Sequence, residues 1–299
     1  MTFLALLTKE MRLRLRRERA IWVIIVYLLV MGLLGFTMIA TVNNSAQASQ
    51  LNTLGVILYI VLSMVQLFLI VFIAPAFTAT TINGEKERQT FDLLLCSRLS
   101  SFSLLLAKLV AGLASVLLMI AASAPLFSLV FFFGGVSLTQ VLSALLVYVV
   151  TAIVLGTLGM FCSTILKRAP VSTAVAYMLC VAWLLGPWVF AILLRVNPPF
   201  ISGTPPSGLF IWNPLMALYS TLPLPFPTLN YSFGSLSLTI WQAYSVICLL
   251  VTIVLFLLSM WFVKPNPTGR LRLWLESRRR GRSTMAPIRD ATTSSTVSP

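Results

Sequence analysis

Residues 54–82 read LGVILYIVLSMVQLFLIVFIAPAFTATTI, and residues 83–97 read NGEKERQTFDLLLCS. The first stretch has no charged side chain and exceeds the ~20 residues that cross ~30 Å of hydrocarbon as a helix. The second gathers Glu85, Lys86, Glu87, Arg88 and Asp92 into one short, helix-prone segment. An apolar run of that length followed at once by such a segment reads as a membrane span and the surface loop after it. The step from Ile82 to Asn83 thus sets the reading of the whole chain, as spanning helices joined by polar connections.

Composition agrees. The chain is 59% hydrophobic and 9% charged, with a mean hydropathy of +0.97. A soluble domain of 299 residues could not hide that much apolar surface. A membrane β-barrel would show short alternating segments, whereas these runs are long and continuous, so the spans are helices. Six are predicted, at residues 21–41, 54–82, 104–133, 138–166, 171–194 and 240–263. The second and third exceed the need, which calls for tilt, for kinks at Pro75 and Pro125, or for extension beyond the bilayer. Only Gly134-Gly135-Val136-Ser137 separates the third and fourth, which predicts a tight helical hairpin.

Basic residues predict the orientation. Lys9, Arg12, Arg14, Arg16, Arg17 and Arg19 precede the first span. Lys86, Arg88, Arg98 and Lys108 lie between or beside the second and third, and Lys167 and Arg168 between the fourth and fifth. Lys264, Arg270, Arg272, Arg278, Arg279, Arg280, Arg282 and Arg289 follow the last. Of the 21 basic residues, Arg195 alone falls in the other loops. The basic side is the cytoplasm, so both termini face inward in the cell (inner or plasma) membrane. The formal net charge of +14 follows from this topology and suits anionic lipid, and no nucleic-acid partner is expected.

The ends have their own character. Residues 1–20 predict a helix lying in the interface, with Leu4, Leu7, Met11 and Leu15 at helical spacing among basic residues. A plain positive-inside anchor is an equal reading of that segment. The apolar run after it is too long for a cleaved signal peptide. Residues 264–299 form a basic tail. Leu271, Trp274 and Leu275 suit a short interfacial helix within 270–282, and the Ser-, Thr- and Pro-rich remainder predicts disorder. The outer loop, residues 195–239, is nearly uncharged. Asn213-Pro214 is a good helix start, because Asn caps and Pro suits the first helical position. Leu215, Leu218 and Leu222 then share a face until Pro223. A loose Pro-rich loop is the plainer reading.

Absences narrow the chemistry. The chain has no His, which removes Ser-His hydrolysis, His-liganded metals and His proton relays. Cys96, Cys162, Cys180 and Cys248 form no C-x-x-C pair, so neither a disulfide framework nor a thiolate metal site is predicted. No Gly is followed by Lys, so the chain has no P-loop. An intramembrane enzyme would need a catalytic pair in the bilayer. An ion-coupled secondary transporter would need ionisable groups at mid-span, and almost none occur there. Gln66 is a polar candidate near the middle of the second span, best read as interhelical glue. Gly32 with Gly35, Gly156 with Gly159, and Gly112 with Ser115 read as helix-packing notches.

The charged segment carries the specific signal. Phe91, Leu94 and Leu95 lie at i, i+3 and i+4 and give one apolar face. Glu85, Glu87, Arg88 and Asp92 offer charges that could pair across a subunit groove. Two readings stand on the residues alone: a helix that docks a partner, and a solvated amphipathic helix resting on the membrane.

The segment resembles the E-x-E-x-G-T-x-E-x-L-L-x-[ST]-P-x-[ST] pattern of ABC-2 type transporter permeases. Glu85 and Glu87 match the paired acids, Thr90 the Thr, Asp92 the next acid, Leu94 and Leu95 the leucines, and Ser97 and Ser100 the hydroxyls. Lys108 matches the Lys that opens the third span, and Lys9-Glu10 is similar to the family's N-terminal start. Gln89 stands where Gly is usual, and Arg98 where Pro is usual, so no proline sets the turn before the third span. The resemblance implies an all-α half-transporter of the type V exporter kind with six transmembrane helices. It implies that residues 84–97 are a coupling helix, with Glu85, Glu87, Arg88, Thr90, Phe91, Asp92, Leu94 and Leu95 facing a cytoplasmic ABC ATPase. ATP and Mg would then be bound by that partner and no cofactor by this chain, which would not be an enzyme. A second permease copy, identical or not, would complete the pathway. Export of a hydrophobic or amphipathic substrate is the function implied. A secondary transporter or a membrane scaffold is the alternative.

Overall fold

The computed structural model describes residues 8, 18–40, 48–87, 101–166, 168–194, 208–223, 230–233 and 236–263. The chain divides into Met1–Phe262 and Val263–Pro299. Of the second unit only Val263 is described, so the predicted tail lies outside the described residues, as does most of the predicted N-terminal interfacial helix.

The long helices are α1 (Glu18–Ala40), α2 (Ala48–Thr78), α4 (Ser101–Ala122), α6 (Leu138–Ile165), α7 (Ala169–Leu193) and α9 (Ile240–Val263). Between them lie the short helices α3 (Asn83–Glu87), α5 (Ala124–Phe133) and α8 (Pro214–Tyr219). Among the described residues, five helical stretches are long and apolar enough to cross a membrane. They contain α2, α4 with α5, α6, α7 and α9. The remaining predicted span, the first at 21–41, corresponds to α1, whose described apolar core, Trp22–Thr37, falls short of that length.

The third predicted span is broken. α4 stops at Ala122 and α5 starts at Ala124, with Pro125 in its first turn. Pro lacks the N–H that would continue the ladder and its ring crowds the preceding turn, so the break sits where the sequence places Pro125. Ser123 bridges it, its hydroxyl donating to the Ile120 carbonyl at 2.7 Å. The predicted hairpin at 134–137 is present. Gly134 and Gly135 adopt φ of 80° and 83°, which a residue with a Cβ rarely does. Ser137 then opens α6 through a reciprocal capping box with Gln140.

Small residues set the helix crossings, as expected where lipid removes the hydrophobic drive and close packing must hold helices together. A Cβ on Gly156 would lie 2.7 Å from Leu113 Cδ2. One on Gly159 would strike the Thr78 hydroxyl and come within 3.3 Å of the Ala79 nitrogen and Pro75 Cα. These two glycines are the notches the sequence predicts. Gly32 and Gly35 are not, since a Cβ on either meets nothing within 4 Å. A notch the sequence does not reveal is Gly55, where a Cβ would collide with the Gly134 carbonyl.

The outer connection is partly built. The Asn213 side chain accepts from the Leu215 nitrogen at 2.8 Å and donates to the Leu184 carbonyl at 2.9 Å. It thus caps α8 and ties it to α7. Leu218 and Leu222 are buried in the main core as their shared face predicts, and Leu215 packs beside them. Ala217 is also buried, against Tyr244 and the valines of α6, so α8 is enclosed on more than one side. Two strands, Asn230–Phe233 and Leu236–Thr239, pair antiparallel with Asn230 opposite Thr239. This hairpin is the departure from an all-α reading, and the molecule is mostly helical.

Candidate functional site

The predicted coupling segment begins where α2 runs out. The Thr78 hydroxyl donates back to the Ala74 carbonyl at 3.0 Å, and residues 79–82 turn the chain into α3. Helix starts leave backbone N–H groups without intrahelical partners. Here Ser163 of α6 supplies them, its hydroxyl oxygen accepting from the Ile82 and Asn83 nitrogens at 3.0 Å each.

Asn83 is fully buried. Its amide lies 2.5 Å from the carbonyls of Ser163 and Leu166 and 3.2 Å from the Ser172 hydroxyl. Only the orientation with the NH₂ toward the two carbonyls satisfies that surrounding. Ser172 in turn donates to the Ala79 carbonyl at 2.9 Å. One asparagine and two serines thus stitch the end of α2 to α6 and α7.

The charged residues continue the stitching. Lys108 of α4 is 3% exposed and its ammonium pairs with Glu85. A buried ammonium is costly unless paired and hydrogen-bonded, and the Glu85 carboxylate offsets that cost for Lys108. Lys86 donates to the Thr164 carbonyl at 2.5 Å, satisfying a carbonyl in the last turn of α6. Glu87 accepts from the Ala169 nitrogen at 2.8 Å. That nitrogen is an orphan donor at the start of α7, where a carboxylate is also favoured by the helix dipole.

Two of the charges predicted to read a partner, Glu85 and Glu87, are therefore engaged within the chain, and so is Lys86. Glu85 reaches α4, Lys86 reaches α6 and Glu87 reaches α7. Arg88, Thr90, Phe91, Asp92, Leu94 and Leu95 lie outside the described residues, as do the other positions from 88 to 97, Cys96 among them. The matched Lys108 signalled that a charge opens the third span. Its pairing across 23 positions with Glu85 depends on packing and has no local sequence sign. Asn83, Ser163 and Ser172 carry no sequence sign at all.

A second polar region lies deeper. The Tyr27 hydroxyl donates to Gln66 Oε1, which joins α1 to α2 and makes Gln66 the interhelical glue the sequence predicts. The Tyr148 hydroxyl donates to the Ser63 carbonyl at 3.2 Å, and the Tyr59 hydroxyl to the Gln140 carbonyl at 3.1 Å. Gln66 Nε2 and Ser63 Oγ, both in fully buried residues, have no partner. A buried unsatisfied donor or acceptor costs about 1–3 kcal/mol.

Comparison with known proteins places this architecture. The family model for the ABC-2 family transporter protein matches residues 4–264. No curated protein matches the sequence.

Proposed function

Because the chain belongs to the ABC-2 family of transporter proteins, we propose that it is the permease subunit of an ABC transporter. It is a multi-pass membrane protein, and the reading goes further in four respects. A cytoplasmic ATPase docks on residues 84–97. A second permease copy completes the pathway. The six spans leave both termini in the cytoplasm of the cell membrane. The cargo is a hydrophobic or amphipathic molecule moved outward.

The observation that carries this reading is the fastening of α3 to three membrane helices at once. A docking segment transmits force only if its root is stiffly joined to what must move. Glu85, Lys86, Glu87 and Asn83 join the root to α4, α6 and α7. Arg88, Thr90, Phe91, Asp92, Leu94 and Leu95 then supply the surface that meets the ATPase, while Glu85 and Glu87 anchor it. The near absence of mid-span charge favours an ATP-driven over an ion-driven pathway.

The test is co-purification with a cytoplasmic P-loop ATPase, sought first in the neighbouring reading frames, followed by ATP turnover in lipid. Phe91→Ala and Asp92→Lys, placed beyond the root, should each weaken association while the permease stays folded. Normal association and turnover in the combined variant would end this reading of the segment. Cysteines introduced at Ser45 or Ser232 should react with an impermeant thiol reagent from outside, and one at Ser97 should not. Labelling of Ser97 from outside would reverse the orientation.

A further inference from the structure

A groove of about 200 Å³ opens beside the break between α4 and α5. Ile120, Phe127, Phe131, Ala144 and Leu145 make its apolar walls, and Ser123 and Tyr148 its polar ones. Ala124 and Ser128, also in its lining, are exposed on the outside of the described bundle. In a membrane that outside is acyl chain, so the groove is open to lipid. Its volume exceeds the ~150 Å³ of an apolar cavity that takes up benzene. It admits a segment of an apolar chain.

The groove adjoins the unpartnered polar groups. Tyr148 lines the groove and reaches Ser63 with its hydroxyl. Ser123 lines it too and is faced by the Tyr27 hydroxyl, which also holds Gln66. Behind this wall Gln66 Nε2 offers a free donor, and the Ser63 hydroxyl, faced by the Tyr59 and Tyr148 hydroxyls, can donate or accept. Turning the Gln66 amide over changes only which end is orphaned, because Tyr27 meets one end alone. None of the residues named in the groove or the polar layer carries a charge at neutral pH. A charged headgroup would be buried there without a partner, which is costly.

We propose that this is a binding site for an uncharged amphiphile, such as a monoacylglycerol, taken laterally from the bilayer. Its acyl chain lies along Phe127, Phe131 and Leu145. Its ester or hydroxyl oxygen accepts from Gln66 Nε2 and meets the Ser63 hydroxyl, with Ser123 and Tyr148 forming the gate between the two parts. The site holds whether or not the bound molecule is the cargo, so it stands apart from the transport reading.

The probe is a monoacylglycerol carrying a diazirine in its chain, photolysed with the full-length protein in phosphatidylcholine nanodiscs. Labelled peptides should map to 120–131 and 141–148. Ala124→Phe fills the groove from an exposed position and should abolish that labelling. Gln66→Leu should lower it roughly fivefold, the worth of one hydrogen bond of about 1 kcal/mol. Ser63→Ala, milder for folding, should lower it in the same direction. A diazirine alkane of equal length should label weakly and show no response to Gln66→Leu. Labelling outside these peptides, labelling unchanged by Ala124→Phe, or an alkane that labels as well as the ester would each overturn the site. A pair of orphaned atoms filled only by water would give no groove labelling, and would overturn it as well.

Discussion

The polar root of α3, part buried and part exposed, and the fully buried polar layer around Gln66 satisfy their side chains in opposite ways. At the root, charge meets charge or an orphan helix terminus: Lys108 with Glu85, Glu87 with the Ala169 nitrogen, Lys86 with the Thr164 carbonyl. In the layer every group is neutral, and Gln66 Nε2 and Ser63 Oγ are left over. The first arrangement ties helices together through charge and gains rigidity. The second keeps unspent hydrogen-bonding capacity beside a groove, which is the form a ligand site takes before its ligand arrives. Burial alone therefore does not separate anchors from sites; the balance of donors and acceptors does.

Breaking the root should have the largest effect. Glu85→Ala removes the carboxylate that pairs with the buried Lys108 ammonium, and losing one partner of a buried pair costs about 3–5 kcal/mol. Glu85→Gln combined with Lys108→Met removes both charges and should recover most of that loss. Thermal unfolding of the purified protein, followed by fluorescence-detected size exclusion, reads both variants. Equal stability of the single and double variants would show that the pair does not act as a closed unit.

Packing comes next. Gly159→Ala sets a methyl against Thr78 and the backbone of residues 75–79, an overpacking that costs about 1–3 kcal/mol. Gly32→Ala has open space and should be neutral, or stabilising by up to ~1 kcal/mol from helix propensity. Like behaviour of the two would mean that crossing geometry is set elsewhere. Ser163→Ala removes the shared acceptor of two α3 nitrogens and should cost about 1–3 kcal/mol for the unsatisfied groups. Hydrogen exchange at Ile82 and Asn83 should rise with it.

The layer should respond least. Tyr27→Phe with Gln66→Leu deletes donor and acceptor together, which is near neutral when shape is kept. A loss of more than about 1 kcal/mol would place the layer with the root, as a closed structural network, and would remove the contrast drawn above.

What the sequence revealed is what depends on local pattern. Apolar runs, the Gly134-Gly135 turn, the Pro125 break, the Asn213-Pro214 start and the Gly156–Gly159 notch are read from neighbours in the chain. Gly32 and Gly35 misled, because a small pair at helical spacing predicts a crossing only where another helix arrives. The candidate site was legible in its residue types and not in its pairings. Glu85 carries the same charge whether it faces a partner subunit or Lys108, and only packing decides. The orphaned ends of Gln66 and Ser63 are likewise invisible until the surrounding tyrosines are placed.

Asn213 and Ala217 bear on the order in which the molecule is made. The root of α3 uses partners no later than Ser172, so it can close once α7 has left the ribosome. α8 cannot complete its packing then, because Ala217 rests against Tyr244 of α9. Synthesis runs from the N-terminus, and its pace of roughly 5–20 residues per second leaves an interval between the two events. During that interval one end of the bundle is already locked while the other still lacks its final wall. A truncation just before residue 240 would therefore keep the first end's contacts and leave α8 uncovered on its Ala217 side, while Asn213 and Leu218 still hold it.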